Sequence, residues 1–219
     1  MTRRNDTRER VLRTAAGLFQ RQGYNATGLN QVLAESRAPK GSLYFHFPDG
    51  KEQLAAEAVA IAGGEFGERI AAAVAAAPGP AEAVARIGDL LARDLEESGF
   101  QEGCPVATVA LEAAGDSEPI RSACDTTYTS WLRGLADYLR GHGADEPEAL
   151  ADLVLSSLQG ALLLARVRRD TAVIHSVTRR IGGMVGGMVG GTVGGMVEGM
   201  VEGMVADAAA GAAGRKDCE

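Results

Sequence analysis

Cysteine, histidine and aromatic residues are all scarce in this chain of 219 residues, and each scarcity removes a class of function. Three cysteines, an odd number, exclude a disulfide framework and suit a reducing compartment. The three histidines, His46, His142 and His175, share no ligand spacing, so no metal is expected. Aromatics make up 5% with a single Trp, and Val is the only frequent β-branched aliphatic, which disfavours a sheet-rich fold. There is no Gly-x-Ser-x-Gly elbow and no phosphate-cradling loop after a strand, so neither an enzyme nor a cofactor is expected. The N-terminus is polar and basic with no apolar stretch, so no secretory signal is read there. The uncharged run from Ile181 to Val197 spans 17 residues, about half of them Gly, too little apolar chain for a bilayer. The expectation is a cytoplasmic protein without a membrane partner.

What is present favours helices. Hydrophobic residues reach 46% and charged residues 23%, with Ala and Gly abundant. The charge is unevenly spread. Residues 1–51 hold nine Lys or Arg against four acids, net +5, so the rest carries −12 of an overall −7. A basic head on an acidic body fits a polyanion-binding module joined to something else.

Val11, Leu12, Ala15, Leu18 and Phe19 share one face of a first helix. Asp6 and Glu9 would cap that helix as a box, and Gly23 would end it. Thr27 caps a short second helix, Ser36-Arg37-Ala38 forms a tight connection, and a third helix runs from Pro39 to His46. Most of the aromatic cluster Phe19, Tyr24, Tyr44, Phe45 and Phe47 is expected to be core, because so small a unit has little else to bury. Beyond Lys51 the pattern stays helical over 51–76, 81–98 and from Cys104-Pro105 to Gly115. It continues over 117–140, from Pro147 to the arginines at 166–169, and from Asp170 onward. The fold class is all-α: a three-helix head over 1–50, a helical body over 51–190 and a low-complexity tail over 191–219. Six tetrapeptides of the Gly-Gly-Met-Val type fill 182–205 and contain ten Gly. Each Gly costs roughly 1 kcal/mol in a helix, so disordered chain is expected beyond about Gly190.

The informative block is 27–54, in which two short helices are joined by a three-residue turn. Such a helix-turn-helix sets its second helix in the major groove of duplex DNA. Lys40 suits a phosphate or a guanine edge, Ser42 a base or phosphate, and Tyr44 and His46 phosphates, while Gly41 permits close approach. The string Gly41-Ser42-Leu43-Tyr44-Phe45-His46-Phe47 followed by Lys51-Glu52-Gln53-Leu54 resembles the DNA-binding head of TetR-family transcriptional regulators. Arg37 stands where that family usually has Gly, Pro39 where it has a capping Ser or Thr, and the Phe47-to-Lys51 turn is one residue longer. The Ala-Pro-Lys-Gly-Ser-Leu-Tyr string looks like the lincomycin-resistance and flavonoid-responsive repressor branch. Gly103-Cys104-Pro105-Val106 with Ala110-Leu111-Glu112 looks like the same branch.

The resemblance implies a homodimer that reads a palindromic operator and is released by a small-molecule inducer, apolar or aromatic. The DNA-contacting set it implies is Thr27, Arg37, Pro39, Lys40, Gly41, Ser42, Tyr44, His46 and Lys51. The last two helices would form a four-helix interface, which Leu153, Leu158, Leu162 and Ile174 suit by type. Phe66, Phe100, Cys104, Tyr128 and Trp131 are the candidate ligand-lining residues, with simple core packing as the alternative. Two other classes stay open: a small-molecule carrier or sensor that does not act through DNA, and an enzyme using Cys104 or Glu112.

Overall fold

The computed structural model describes residues 2–189, and all regular structure among them is helical. The head holds α1 (Thr2–Ala26), α2 (Leu29–Glu35) and α3 (Ser42–His46). The body holds α4 (Gly50–Ala75), α5 (Pro80–Glu97), α6 (Ala107–Ala113), α7 (Glu118–Gly141), α8 (Pro147–Arg168) and α9 (172–189). From α4 onward these spans fall within about three residues of the periodicity reading. The expected tail at 191–219 lies outside the described residues.

The start of α1 differs from expectation. The helix begins at Thr2, so Asp6 and Glu9 lie inside it and do not cap it. Asp6 instead accepts from Arg10 at 2.8 Å and Glu9 from Arg13 at 3.1 Å, both at the (i, i+4) spacing of facing helix positions. At the other end Gly23 leaves helical geometry, with φ 85° and ψ 173°.

Val11, Leu12, Ala15, Leu18 and Phe19 of α1 are all buried, as the periodicity requires. They close on Val32 and Leu33 of α2, Leu43 of α3, Phe47, and Leu54, Ala55, Ala58 and Val59 of α4. The helix α4 therefore completes the head's core with its first turns and enters the body with its last. In the body, α4 packs along α7, α7 along α8, and α5 against α4 and α8. Pro80, Pro119 and Pro147 sit in the first turn of their helices, where a missing N–H costs nothing.

One feature of the body corrects the sequence reading. In α8, Leu158 and Leu162 are 5% exposed and Ile174 of α9 is fully buried, so these three belong to the chain's own core. The outward stripe is Leu153, Leu163, Leu164 and Val167, which are 40 to 75% exposed. Among the described helices only α8 is long and apolar enough to cross a membrane, by length and composition. Its inner face is occupied by α7 and α5. The first two Gly-Gly-Met-Val copies, 182–189, are helical in α9 despite their glycines. Val185 is fully buried, and Gly182 lies so close to Ala81 of α5 that a Cβ there would sit 2.9 Å from the Ala81 carbonyl oxygen.

Candidate nucleic-acid interface and ligand groove

The second helix of the helix-turn-helix is shorter than expected. It begins at Ser42, after a turn in which the Ser42 N–H and hydroxyl both donate to the Pro39 carbonyl, at 2.9 and 2.7 Å. Pro39 therefore precedes α3 instead of opening it. Leu43 and Phe47 anchor α3 inward, and that orientation turns Lys40, Gly41, Tyr44 and Phe45 to solvent, with Tyr44 64% and Phe45 60% exposed. Of the five clustered aromatics, Phe19 and Phe47 are buried and Tyr24 packs on the core, as expected for most of them, while Tyr44 and Phe45 are on the surface. Phe45, missed as a surface residue, stands edge-on to His46 with ring centroids 5.0 Å apart. His46 is half-buried between Phe45 and Phe47.

The turn before α3 is closed by two backbone bonds, Ala38 N–H to Leu33 O at 3.0 Å and Arg37 N–H to Ala34 O at 3.2 Å. This pair is the Schellman arrangement, and it puts Arg37 in the left-handed region with φ 53° and its side chain exposed. Arg10 reaches from α1 to the Ser36 carbonyl at the same helix end, 3.4 Å away.

Two of the expected contact residues are occupied inside the protein. Thr27 is 1% exposed, and its hydroxyl donates to the Gly23 carbonyl at 2.7 Å. It closes the turn between α1 and α2 and does not face outward, and the N-cap position of α2 is Gly28. Lys51 lies with Nζ 4.3 Å from the centroid of Tyr24, and burial lowers its pKa, with Glu112 acting in the opposite sense. Lys51 therefore serves the joint between head and body.

The expected ligand residues fall into two layers. A groove of about 890 Å³ runs between α4 and α7, walled by Gly63, Gly64, Gly67 and Ala71 on one side and Ser122, Thr126, Ser130 and Gly134 on the other. Of the five residues expected around a ligand, only Trp131 lines it. The indole N–H donates to the Gly63 carbonyl at 3.0 Å, and a Cβ on Gly67 would meet that nitrogen at 2.6 Å. Phe66 and Tyr128 back the indole, with centroids 5.4 and 5.5 Å away. Tyr138, at the groove's far end, keeps its hydroxyl buried without a hydrogen-bond partner.

Cys104 is buried beside Tyr128, and Phe100 is partly buried outside the groove lining. Gln159 donates to Cys104 Sγ at 3.3 Å, and the Tyr128 hydroxyl lies 3.9 Å from the same sulfur. Burial pushes the Cys124 thiol up to about 11 and the Tyr128 phenol higher still, so both are neutral near pH 7. Buried neutral thiols are poor nucleophiles, which leaves Cys124 a packing residue. Phe100 takes φ 64° just past α5, and its ring packs on the core. The groove's glycines escaped the sequence reading, although three Gly within one helix are a costly choice that signals a close approach.

The N-terminal region, residues 11–58, matches the family described as bacterial regulatory proteins, tetR family. Residues 80–180 match the C-terminal domain of LmrA/YxaF-like transcriptional regulators. The chain is 39% identical over 183 residues to the uncharacterized HTH-type transcriptional regulator YxaF of Bacillus subtilis, covering 83% of this chain and 96% of that one. It is 40% identical over 173 residues to the HTH-type transcriptional regulator LmrA of the same organism, covering 78% and 92%. The chain belongs to the TetR family. A TetR-family regulator of known structure from Cytophaga hutchinsonii shares the fold with a TM-score of 0.75, 21% identity and coverage of 86% and 97%.

Within the TetR family pattern, Arg37 replaces a glycine at a left-handed position, and a side chain there costs on the order of 1 kcal/mol. Arg37→Gly removes that strain, offset in part by the freer unfolded chain, so the melting temperature should rise by about 2 °C. Operator affinity should fall at the same time, with the salt dependence flattened by about one unit if the guanidinium meets a phosphate. A variant that gains no stability would show that the arginine is unstrained, and one that binds with the parent's slope would show that it meets no phosphate.

Proposed function

We propose that this TetR-family regulator is a repressor that binds a palindromic operator as a homodimer and is released by a small apolar or aromatic inducer. The observation that carries the reading is the outward face of α3. Its anchors Leu43 and Phe47 are buried, which fixes Lys40, Gly41 and Tyr44 on the surface where a major groove would lie. Ser42, Pro39 and Arg37 extend that face toward the turn, and His46 borders it. Residues 1–50 serve as reading head and 51–190 as sensing and pairing body, joined through α4, and the protein works in the cytoplasm. The outward apolar stripe of α8 supports pairing with a second copy.

Lys40→Ala and Tyr44→Ala should each weaken binding to a duplex selected by the parent from a random pool, with helical content and melting temperature unchanged. For Lys40 the plot of log affinity against log salt should lose about one unit of slope. Both variants binding like the parent at every salt concentration would remove α3 from the interface.

The inducer reading rests on the α4–α7 groove, whose volume is that of small-molecule sites and whose wall carries the chain's single Trp. Trp131 emission is therefore a direct probe of the groove. A planar aromatic compound that releases the operator should also quench or shift it, and release with unaltered emission would place the inducer elsewhere.

A further inference from the structure

The turn between α1 and α2 is held by a side chain from the body. Glu112, on α6, accepts a hydrogen bond from the Asn25 N–H at 2.7 Å. Its carboxylate is seated directly on Gly23, where an added Cβ would lie 2.8 Å from Oε2 and closer still to Oε1. Gly23 has φ 85°, so this position favours glycine twice over, by its backbone and by the carboxylate above it. The same turn is closed from within by Thr27 bonding to Gly23 O, and it is flanked by Lys51 over Tyr24. Three further contacts fix the end of α1 to the body: Gln20 to Gly103 O at 2.7 Å, Arg21 to Glu102 at 3.1 Å, and Arg166 to Arg21 O at 3.1 Å. All three land on α1 itself. Among these described bonds, only the one to Glu112 lands past the kink at Gly23, on the last residues of α1 that lead into α2 and α3.

We propose that Glu112 is the positioning residue through which the body sets the orientation of the reading head. Its carboxylate ties the α1–α2 turn to α6, and any displacement of α6 is delivered to α2 and α3 through that tie. The proposal rests on the operator-binding reading above. Glu112 bonds backbone within its own chain, so its action on DNA is indirect. The sign of the effect separates position from charge. Removing a carboxylate from a protein of net charge −7 strengthens attraction to DNA through long-range electrostatics. Loss of the tie weakens binding instead.

The test uses the full chain and a palindromic duplex that the parent selects from a random pool. Glu112→Ala should bind that duplex about tenfold more weakly, within the usual range of site-to-site coupling, with an unchanged salt slope and the parent's oligomeric state. It should also discriminate less between that duplex and versions whose half-sites are moved one base pair apart or together, because the heads are no longer held at fixed separation. Glu112→Gln, which keeps an acceptor oxygen at the same reach, should restore most of the affinity and of the spacing preference. A merely stabilising residue would change the melting temperature and leave the spacing preference alone. Parent-like affinity and spacing preference in Glu112→Ala overturn the proposal while leaving operator binding intact. A parent that selects no duplex overturns both.

Discussion

Leu163→Asp combined with Val167→Asp should give a folded monomer whose operator binding is at least about a hundredfold weaker. The two side chains are 59% and 75% exposed in the single chain, so charging them costs the monomer little. In the proposed four-helix seam the same charges would be desolvated without partners, a penalty of several kcal/mol for each pair of protomers. A palindrome read by one head loses half its contacts, and the loss is multiplied because the second half-site is no longer tethered. Sedimentation velocity and far-UV circular dichroism measure the two parts of the expectation separately. The control is Leu158→Asp, which would bury its charge in the chain's own core and should unfold the body. A double variant that still sediments as a dimer and binds like the parent would move the interface away from α8.

Phe47→Ala should abolish operator binding without touching the proposed reading face. Phe47 is fully buried and among the largest such side chains, at the meeting of α1, α3 and α4. Truncating a Phe in such a place costs about 3–5 kcal/mol, from lost transfer energy and the cavity left behind. The Arg8 guanidinium, 5.3 Å from the ring centroid, also loses its aromatic partner. A three-helix head has a small core, and a loss of that size is comparable to its whole stability. Thermal unfolding should split, with an early step for the head and a later one near the parent's temperature for the body. One transition at the parental midpoint, with binding retained, would mean that the head's core does not depend on this ring.

The helix-turn-helix was readable because its signals are local. The spacing of Leu43 and Phe47 states which side of α3 is inward, and the Gly41-to-Phe47 string carries the family resemblance. The partition of α8 was not readable for an equally physical reason. Leu158, Leu162, Leu163 and Leu164 are alike in chemistry, and a helix that is apolar on most sides does not say which side meets its own core. The aromatics of the body failed in the same way. Composition names Phe66, Tyr128 and Trp131 as one class, yet only the path of α4 past α7 decides which of them faces a groove. Asp6 satisfied the local rule for a cap and lost to an earlier helix start. The contact of Glu112 with Asn25 joins positions 87 apart, which no window-based reading spans.

The close approach of α9 to α5 has a consequence for how the gene can drift. The contacts at Ala81 use Gly182 and Gly186, one tetrapeptide apart, with Val185 buried between them. Since 182–189 is two identical copies of Gly-Gly-Met-Val, inserting another in-frame copy reproduces the same eight residues at the same places. Deleting one copy brings the Gly-Gly-Thr-Val unit forward and alters a single position, Met188 to Thr, at a site that is 52% exposed. The α5–α9 packing is therefore insensitive to gaining copies or losing one. Repeat expansion, or loss of a single copy, can lengthen or shorten the chain without changing a residue at the α5–α9 contact.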